Sequence, residues 1–269
     1  MKITVLVDND TLTGRYFKAE PALALFIEAD NLRILFDTGY SDITVENSKK
    51  MNIDLCDLDY VILSHGHLDH SWGLISLIKL YTETVYEKKS FKKPVLITHP
   101  LTLESKTEGE IGSIISKENI EHNFKVKFSP KPLWITKNIV FLGEIAKSND
   151  FEFPENIDNN NKDVVIEDSA IAIKTDQGLV IVTGCSHSGI CNIIEYAKKI
   201  CDEPRVRDVI GGFHLLNTNK DRLKSTVEYF KNQKIKKIHP CHCTDLFAKT
   251  ELSRSVKVCQ VGVGLEIKY

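Results

Sequence analysis

No uninterrupted apolar run in this sequence approaches the ~18 residues that a membrane span needs, and the opening stretch MKITVLVDND has neither an apolar signal core nor a small-residue cleavage site. These absences give the expectation of a cytoplasmic chain with no membrane partner. An excess of one charge is missing as well. The 35 Lys and Arg residues balance 37 Asp and Glu residues to a formal −2, so no summed field recommends nucleic acid or an anionic surface as a partner. A disulfide framework is absent: seven cysteines, an odd number spread from Cys56 to Cys259, suit a reducing compartment, where most serve as small buried hydrophobes. No G-x-S-x-G stretch occurs, which removes the serine nucleophile elbow from consideration.

What remains is an ordinary globular composition, 42% hydrophobic and 27% charged over 269 residues, enough for a sizeable core. One domain over 1–269 is expected. It begins with the strand-like series KITVLV, ALALFIEA, LRILFDTG and YVILS, the second and third separated by Asp30 and Asn31 as in a hairpin. The apolar residues from Trp72 to Tyr81, WGLISLIKLY, fall at helical spacing. PVLIT, VKFS, LWIT and IVFLG read as strands, and 101–120 as a helix broken by Gly109 and Gly112. From 147 to 163 the composition turns to Asn, Asp and Glu, the mark of a mobile surface excursion that serves as a linker or a lid. Beyond it, SAIAIKTDQGLVIVTG repeats the layout of FIEADNLRILFDTG, so two pseudo-repeated halves are expected. In the second half, strands run to histidine in CSHSG, GGFHL and HPCHCTD.

Histidine is scarce, nine in all, yet three fall within SHGHLDHSWG, between a strand and a helix. Strand C-terminal ends are where α/β proteins place their sites. In an extended segment His65 and His67 point the same way, Gly66 leaves room for close approach, and Asp69 and His70 follow as the chain turns. Imidazole with one carboxylate suits zinc, iron or manganese. Two pairs of donors on one loop invite two ions, His65 with His67 and Asp69 with His70, completed by remote histidines or a bridging carboxylate. Capping of a helix by Asp69 would not require three imidazoles.

SHGHLDHSWG matches the His-x-His-x-Asp-His motif of the metallo-β-lactamase superfamily, and LFDTG resembles the strand that precedes it there. With TGCSHSGI, GGFHL and PCHCTD, the chain from Lys2 to about Glu266 resembles the branch related to 7,8-dihydropterin-6-methyl-4-(β-D-ribofuranosyl)aminobenzene-5′-phosphate synthase. The resemblance implies an α/β fold, an αββα sandwich of two sheets with helices outside. It also implies two divalent metal ions, zinc first, with iron or manganese as alternatives. Many members carry a bridging aspartate where GLVIVTGC ends, so Cys185 stands at or near that position. Either Cys185 bridges as a thiolate, or His187 supplies the ligand. DVVIEDS holds no histidine where the superfamily's third motif is expected, which favours His187 over Asp168 or Glu167.

His242, 57 residues beyond Cys185, resembles the last ligand, while Cys241 and Cys243 flank it and by strand alternation face away. His239 is read as structural. In phosphodiesterase branches a histidine in a similar interval faces the scissile phosphate, so the resemblance makes His214 a proton donor or a further ligand, and His214 and Asp69 the catalytic candidates. Asp37 is expected to accept an imidazole N–H and fix a ligand's tautomer. The expected activity is metal-dependent hydrolysis of a phosphoester or related small molecule, phosphorylated or pterin-like as the branch name suggests. An iron-dependent oxidoreductase of the same superfamily is the alternative, followed by a metal-binding protein without turnover.

Overall fold

A computed structural model describes residues 1–104, 112–152 and 165–269. The first of its two units, Met1–Ser129 with Val261–Tyr269, starts from a hairpin. Lys2–Val7 (β1) pairs antiparallel with Ala24–Ala29 (β2), which turns at Asp30 and Asn31 into Leu32–Phe36 (β3). Both turn residues have positive φ, +50° and +60°, as a two-residue hairpin matched to the strand twist requires. After β3 the pairing becomes parallel and the connections helical. Ile43–Lys50 (α1) leads to Tyr60–Ile62 (β4), Leu68–Ser71 (α2) and Leu74–Tyr86 (α3) to Val95–Thr98 (β5), and Lys117–Asn123 (α4) to Lys125–Phe128 (β6).

The second unit, Pro130–Gln260, follows the same succession. Leu133–Trp134 (β7), Ile139–Phe141 (β8), Ala170–Thr175 (β9) and Gly178–Thr183 (β10) pair antiparallel. Ile190–Cys201 (α5), Val206–Gly212 (β11), Lys220–Asn232 (α6), Lys237–Cys241 (β12), Leu246–Ser253 (α7) and Lys257–Val258 (β13) then continue the sheet in parallel. Glu266–Lys268 (β14) belongs to the first unit and pairs with β1, so each unit holds a seven-stranded sheet.

Each sheet is covered on one face by its own helices. Val45 of α1, Leu77 and Tyr81 of α3 and Ile120 of α4 pack over Phe26 and Val61. In the second unit Ile193 of α5, Phe230 of α6 and Leu252 of α7 pack over Ile181, Val209 and Ile238. Each such side chain contributes roughly 1.5–3 kcal/mol on leaving water.

Parallel strands bring their C-terminal ends to one edge of a sheet. The chain leaving β3 therefore meets the chain leaving β4: the Thr38 amide donates to the His70 carbonyl at 2.8 Å, and the Gly73 amide to the Gly39 carbonyl at 3.0 Å. A Cβ on Gly73 would lie 1.9 Å from the Thr38 carbonyl oxygen, so only glycine allows this approach.

One expectation changes. In place of a helix over 101–120 there is a 3-10 turn at Pro100–Leu103 and a helix from Lys117, which Ser116 caps by accepting from the Asn119 amide at 3.3 Å; Gly109 lies outside the described residues. The polar stretch from 147 stays at the surface as far as it is described, with Lys147, Ser148 and Asp150 exposed, but it is anchored at two points. Glu152 is 2% exposed, and the Ser148 and Asn149 amides donate to the Asn192 side chain at 2.7 and 3.0 Å. The remainder of that stretch, 153–163, lies outside the described residues. Among the described residues no helix is long and apolar enough to cross a membrane.

Candidate metal centre

In the first unit the donor cluster forms at the end of β4. The fully buried Asp37, just past β3, accepts from the Ser64 amide through Oδ1 at 2.7 Å. Its Oδ2 accepts from the Ser64 hydroxyl at 2.8 Å and lies 2.7 Å from His70 Nδ1. These contacts fix two tautomers. His70 donates its Nδ1–H to the carboxylate, which leaves Nε2 with a lone pair. Ser64 has given its only proton to Asp37, so at 2.8 Å from His65 Nδ1 its oxygen must accept, and His65 Nε2 likewise carries a lone pair.

His65 Nε2 lies 3.1 Å from His67 Nδ1, and His70 Nε2 lies 3.7 Å from Asp69 Oδ2. Two nitrogen ligands at about 2.0–2.1 Å from a tetrahedral zinc are about 3.3–3.4 Å apart. The nitrogen pair of His65 and His67 therefore fits one ion with little adjustment. His65 and His70 are fully buried, whereas His67 and Asp69 keep partial exposure. The expected orienting role of Asp37 is present in full, and Ser64 extends it to a second ring.

In the second unit three strand-end turns are laced together. The Ser186 hydroxyl donates to the Gly212 carbonyl at 2.6 Å, and the Gly212 amide to the Gly184 carbonyl at 2.8 Å, which ties the Cys185–His187 turn to the end of β11. The Leu215 amide donates to the Cys243 carbonyl at 3.0 Å and the Phe213 amide to Thr244 Oγ1 at 2.9 Å, which ties that end to the turn carrying His242. A Cβ on Gly211 would stand 2.0 Å from the Thr183 carbonyl oxygen, so the close backbone approach at this strand end requires glycine. The rings of His187 and His214 are 4.4 Å apart between centroids.

Asp168 is fully buried, and its Oδ2 accepts from the Ser188 amide at 2.8 Å, bracing the turn that holds His187. Burial pushes its carboxyl up to about 6, against the opposing pull of the Ser188 and His187 amides.

Strained backbone concentrates at these same points. Asp37, Ser186, His214 and His242 have φ of +55°, +60°, +52° and +52°, a region costing about 1–3 kcal/mol for a non-glycine residue. The left-handed turn at His242 ends the alternation of β12. Cys243 consequently does not face away, as alternation predicts: the His214 amide donates to its Sγ at 3.3 Å, and its thiol donates to the Cys185 carbonyl at 3.4 Å. Burial raises the Cys243 thiol, but hydrogen bonding with the Cys185 and His214 side chains and the nearness of His242 outweigh it and hold the thiol well below its usual range. Ser64 and Cys243 are the participants that spacing alone did not reveal. His239 has its Nδ1 2.9 Å from the buried Asp208, the structural place expected for it.

The model of the metallo-β-lactamase superfamily matches residues 18–198. A protein of Methanocaldococcus jannaschii named 7,8-dihydropterin-6-methyl-4-(β-D-ribofuranosyl)-aminobenzene-5′-phosphate synthase is 31% identical, over 96% of this chain and 92% of its own. A second, uncharacterized protein of the same organism is 33% identical over 94% of both chains. The crystal structure of Tm1679, described as a metal-dependent hydrolase of the β-lactamase superfamily, superposes with a TM-score of 0.79 at 27% identity, covering 100% of this chain and 99% of its own.

Proposed function

The chain belongs to the metallo-β-lactamase superfamily and has its α/β fold, and from that premise we propose that it hydrolyses a phosphoester of a small molecule with the help of bound divalent metal. The ligand residues in this reading are His65, His67, Asp69 and His70 of the first unit, with His242 and either His187 or Cys185 of the second. Two ions are proposed, zinc first. The reading is carried by one observation: Asp37, directly and through Ser64, aims the Nε2 lone pairs of His70 and His65 away from itself, with His67 Nδ1 at 3.1 Å from the latter.

When bound, divalent ions would bring the ionisation of water towards neutral pH and offset charge on the attacked oxygen. The chain's own residues supply the rest. Asp37 keeps two imidazoles in the tautomer that presents electrons, so no proton need leave His65 or His70 when a cation arrives. His214, beside His187 in a left-handed turn, is the proposed proton donor to the departing group. The seven cysteines form no disulfide, in keeping with the reducing, cytoplasmic location that we also propose.

Metal analysis after parallel zinc and iron reconstitution, with turnover of bis(p-nitrophenyl) phosphate, tests the reading. His67→Ala is expected to lose at least one metal equivalent and most turnover. His214→Ala is expected to keep its metal and slow the chemical step. A His67→Ala protein with full metal and full turnover would overturn the assignment, and turnover confined to an iron-loaded redox assay would favour the oxidoreductase instead.

A further inference from the structure

Arg222 carries a charge that no acceptor among the described residues meets at Nε or Nη2. It lies in the first turn of α6, directly after the loop that carries His214, and its amide donates to Asn219 Oδ1 at 2.7 Å. Its Nε and Nη2 are shielded from solvent and have no hydrogen-bond acceptor among the described residues, although the residue as a whole keeps partial exposure. The groups that it feels most are Glu152, Cys191 and Cys243, and burial lowers the guanidinium from its usual value. It remains a cation at any physiological pH.

Glu152 is the obvious partner, but it makes no hydrogen bond to the guanidinium and is turned to the start of α5 instead. Oε1 accepts from the Cys191 amide, and Oε2 from the Asn192 amide and Asn149 Nδ2, each at 2.9 Å. Cys243, the other near group, receives the His214 amide at 3.3 Å. The guanidinium thus shares a neighbour with the His214 turn and has no hydrogen-bonded anion at Nε or Nη2 among the described residues.

A guanidinium presents five donors in a rigid fork. Leaving a shielded donor unmet destabilises the fold, and more so for a charged group. Such a cost is tolerated where a ligand brings the missing acceptor.

We propose that Arg222 is a binding residue for an oxyanion borne by the substrate, a phosphate or carboxylate group received by the guanidinium fork. The inference rests on the hydrolase reading only for the word substrate. It adds a charge requirement: the molecule carries an oxyanion besides the bond that is cleaved.

Calorimetric titration of inorganic phosphate, with acetate in a parallel arm, into the metal-loaded chain and its Arg222→Met and Arg222→Lys variants is the test. Arg222→Met should weaken the favoured anion about ten- to a hundredfold, the worth of one charge-assisted interaction. Arg222→Lys keeps the charge without the fork and should fall between. Metal content should not change, and the melting temperature of Arg222→Met should equal or exceed that of the parent, because an unmet buried charge has gone. The arm with the larger loss identifies the oxyanion. Failure of the parent to bind either anion, or equal affinities in parent and both variants, would overturn the proposal, and a lower melting temperature at unchanged affinity would make Arg222 a structural cation. If Arg222 governs phosphate binding but no ester is turned over, the inference stands and the hydrolase reading falls.

Discussion

Asp37 meets three donors with two oxygens, and this arithmetic sets what a substitution does. Its Oδ1 takes the Ser64 amide, and its Oδ2 both the Ser64 hydroxyl and His70. An asparagine there offers one acceptor oxygen and turns an NH2 group towards at least one donor, so the tautomers of His65 and His70 are no longer imposed. Asp37→Asn should lower metal affinity about ten- to a hundredfold. Ser64→Ala, which frees only His65, should have the smaller effect. Competition titration with a chromogenic zinc chelator checks both, and equal affinities in Asp37→Asn and the parent would remove the orienting role. Asp37 was legible in LFDTG because a carboxylate at a strand end beside a histidine loop has a defined chemical use. Ser64 was not, since a serine before a histidine has no spacing that marks it, and its role depends on which proton it has already given away. The alternation argument for Cys243 failed for a related reason: it assumes a strand, and His242 at φ +52° ends one.

At the scale of elements, α5 shows how a helix start is held without a local cap. Gly189 at its N-cap has no side chain to offer, and Glu152 arrives from 37 residues earlier to accept the Cys191 and Asn192 amides, each at 2.9 Å. A carboxylate at this end also opposes the helix dipole. Glu152→Ala would strand two buried amides and should cost about 2 kcal/mol or more, read as a lower urea midpoint at unchanged slope. Glu152→Gln, which retains an acceptor, should cost less. A midpoint unaltered in Glu152→Ala would show that water replaces the carboxylate. Composition could not reveal this. FEFPEN has the polar character of a loop, and nothing local distinguishes a glutamate that reaches a distant helix from one in solvent. Strand and helix order was far easier to read: apolar periodicity is a local property, and the repeated run from strand to histidine to helix follows from parallel pairing.

Over the whole molecule, the histidine turns of both units lie where parallel strands end, which is why a strand followed by histidine was enough to nominate them. Substrate preference was not legible in this way, because a group such as Arg222 has no motif and is singled out only by the acceptors it lacks among the described residues. The two kinds of residue should also differ in what they do for stability. The proposed ligand residues would bind ions in the native state alone, so metal should stabilise the fold by mass action, about 4 kcal/mol at a thousandfold excess over the dissociation constant. For a chain of this size each kcal/mol moves the melting temperature by about 2–4 °C, and dialysis against EDTA should therefore lower it by about 8–16 °C, reversibly on return of zinc. In His67→Ala the shift should shrink by at least half, since a lost ligand lowers the affinity that drives it. Arg222→Met should show the full shift, because its guanidinium holds no metal. Scanning calorimetry of the three proteins with and without chelator decides the matter. Identical melting in EDTA and in zinc for the parent chain would mean that its imidazole clusters do not bind metal in the folded state.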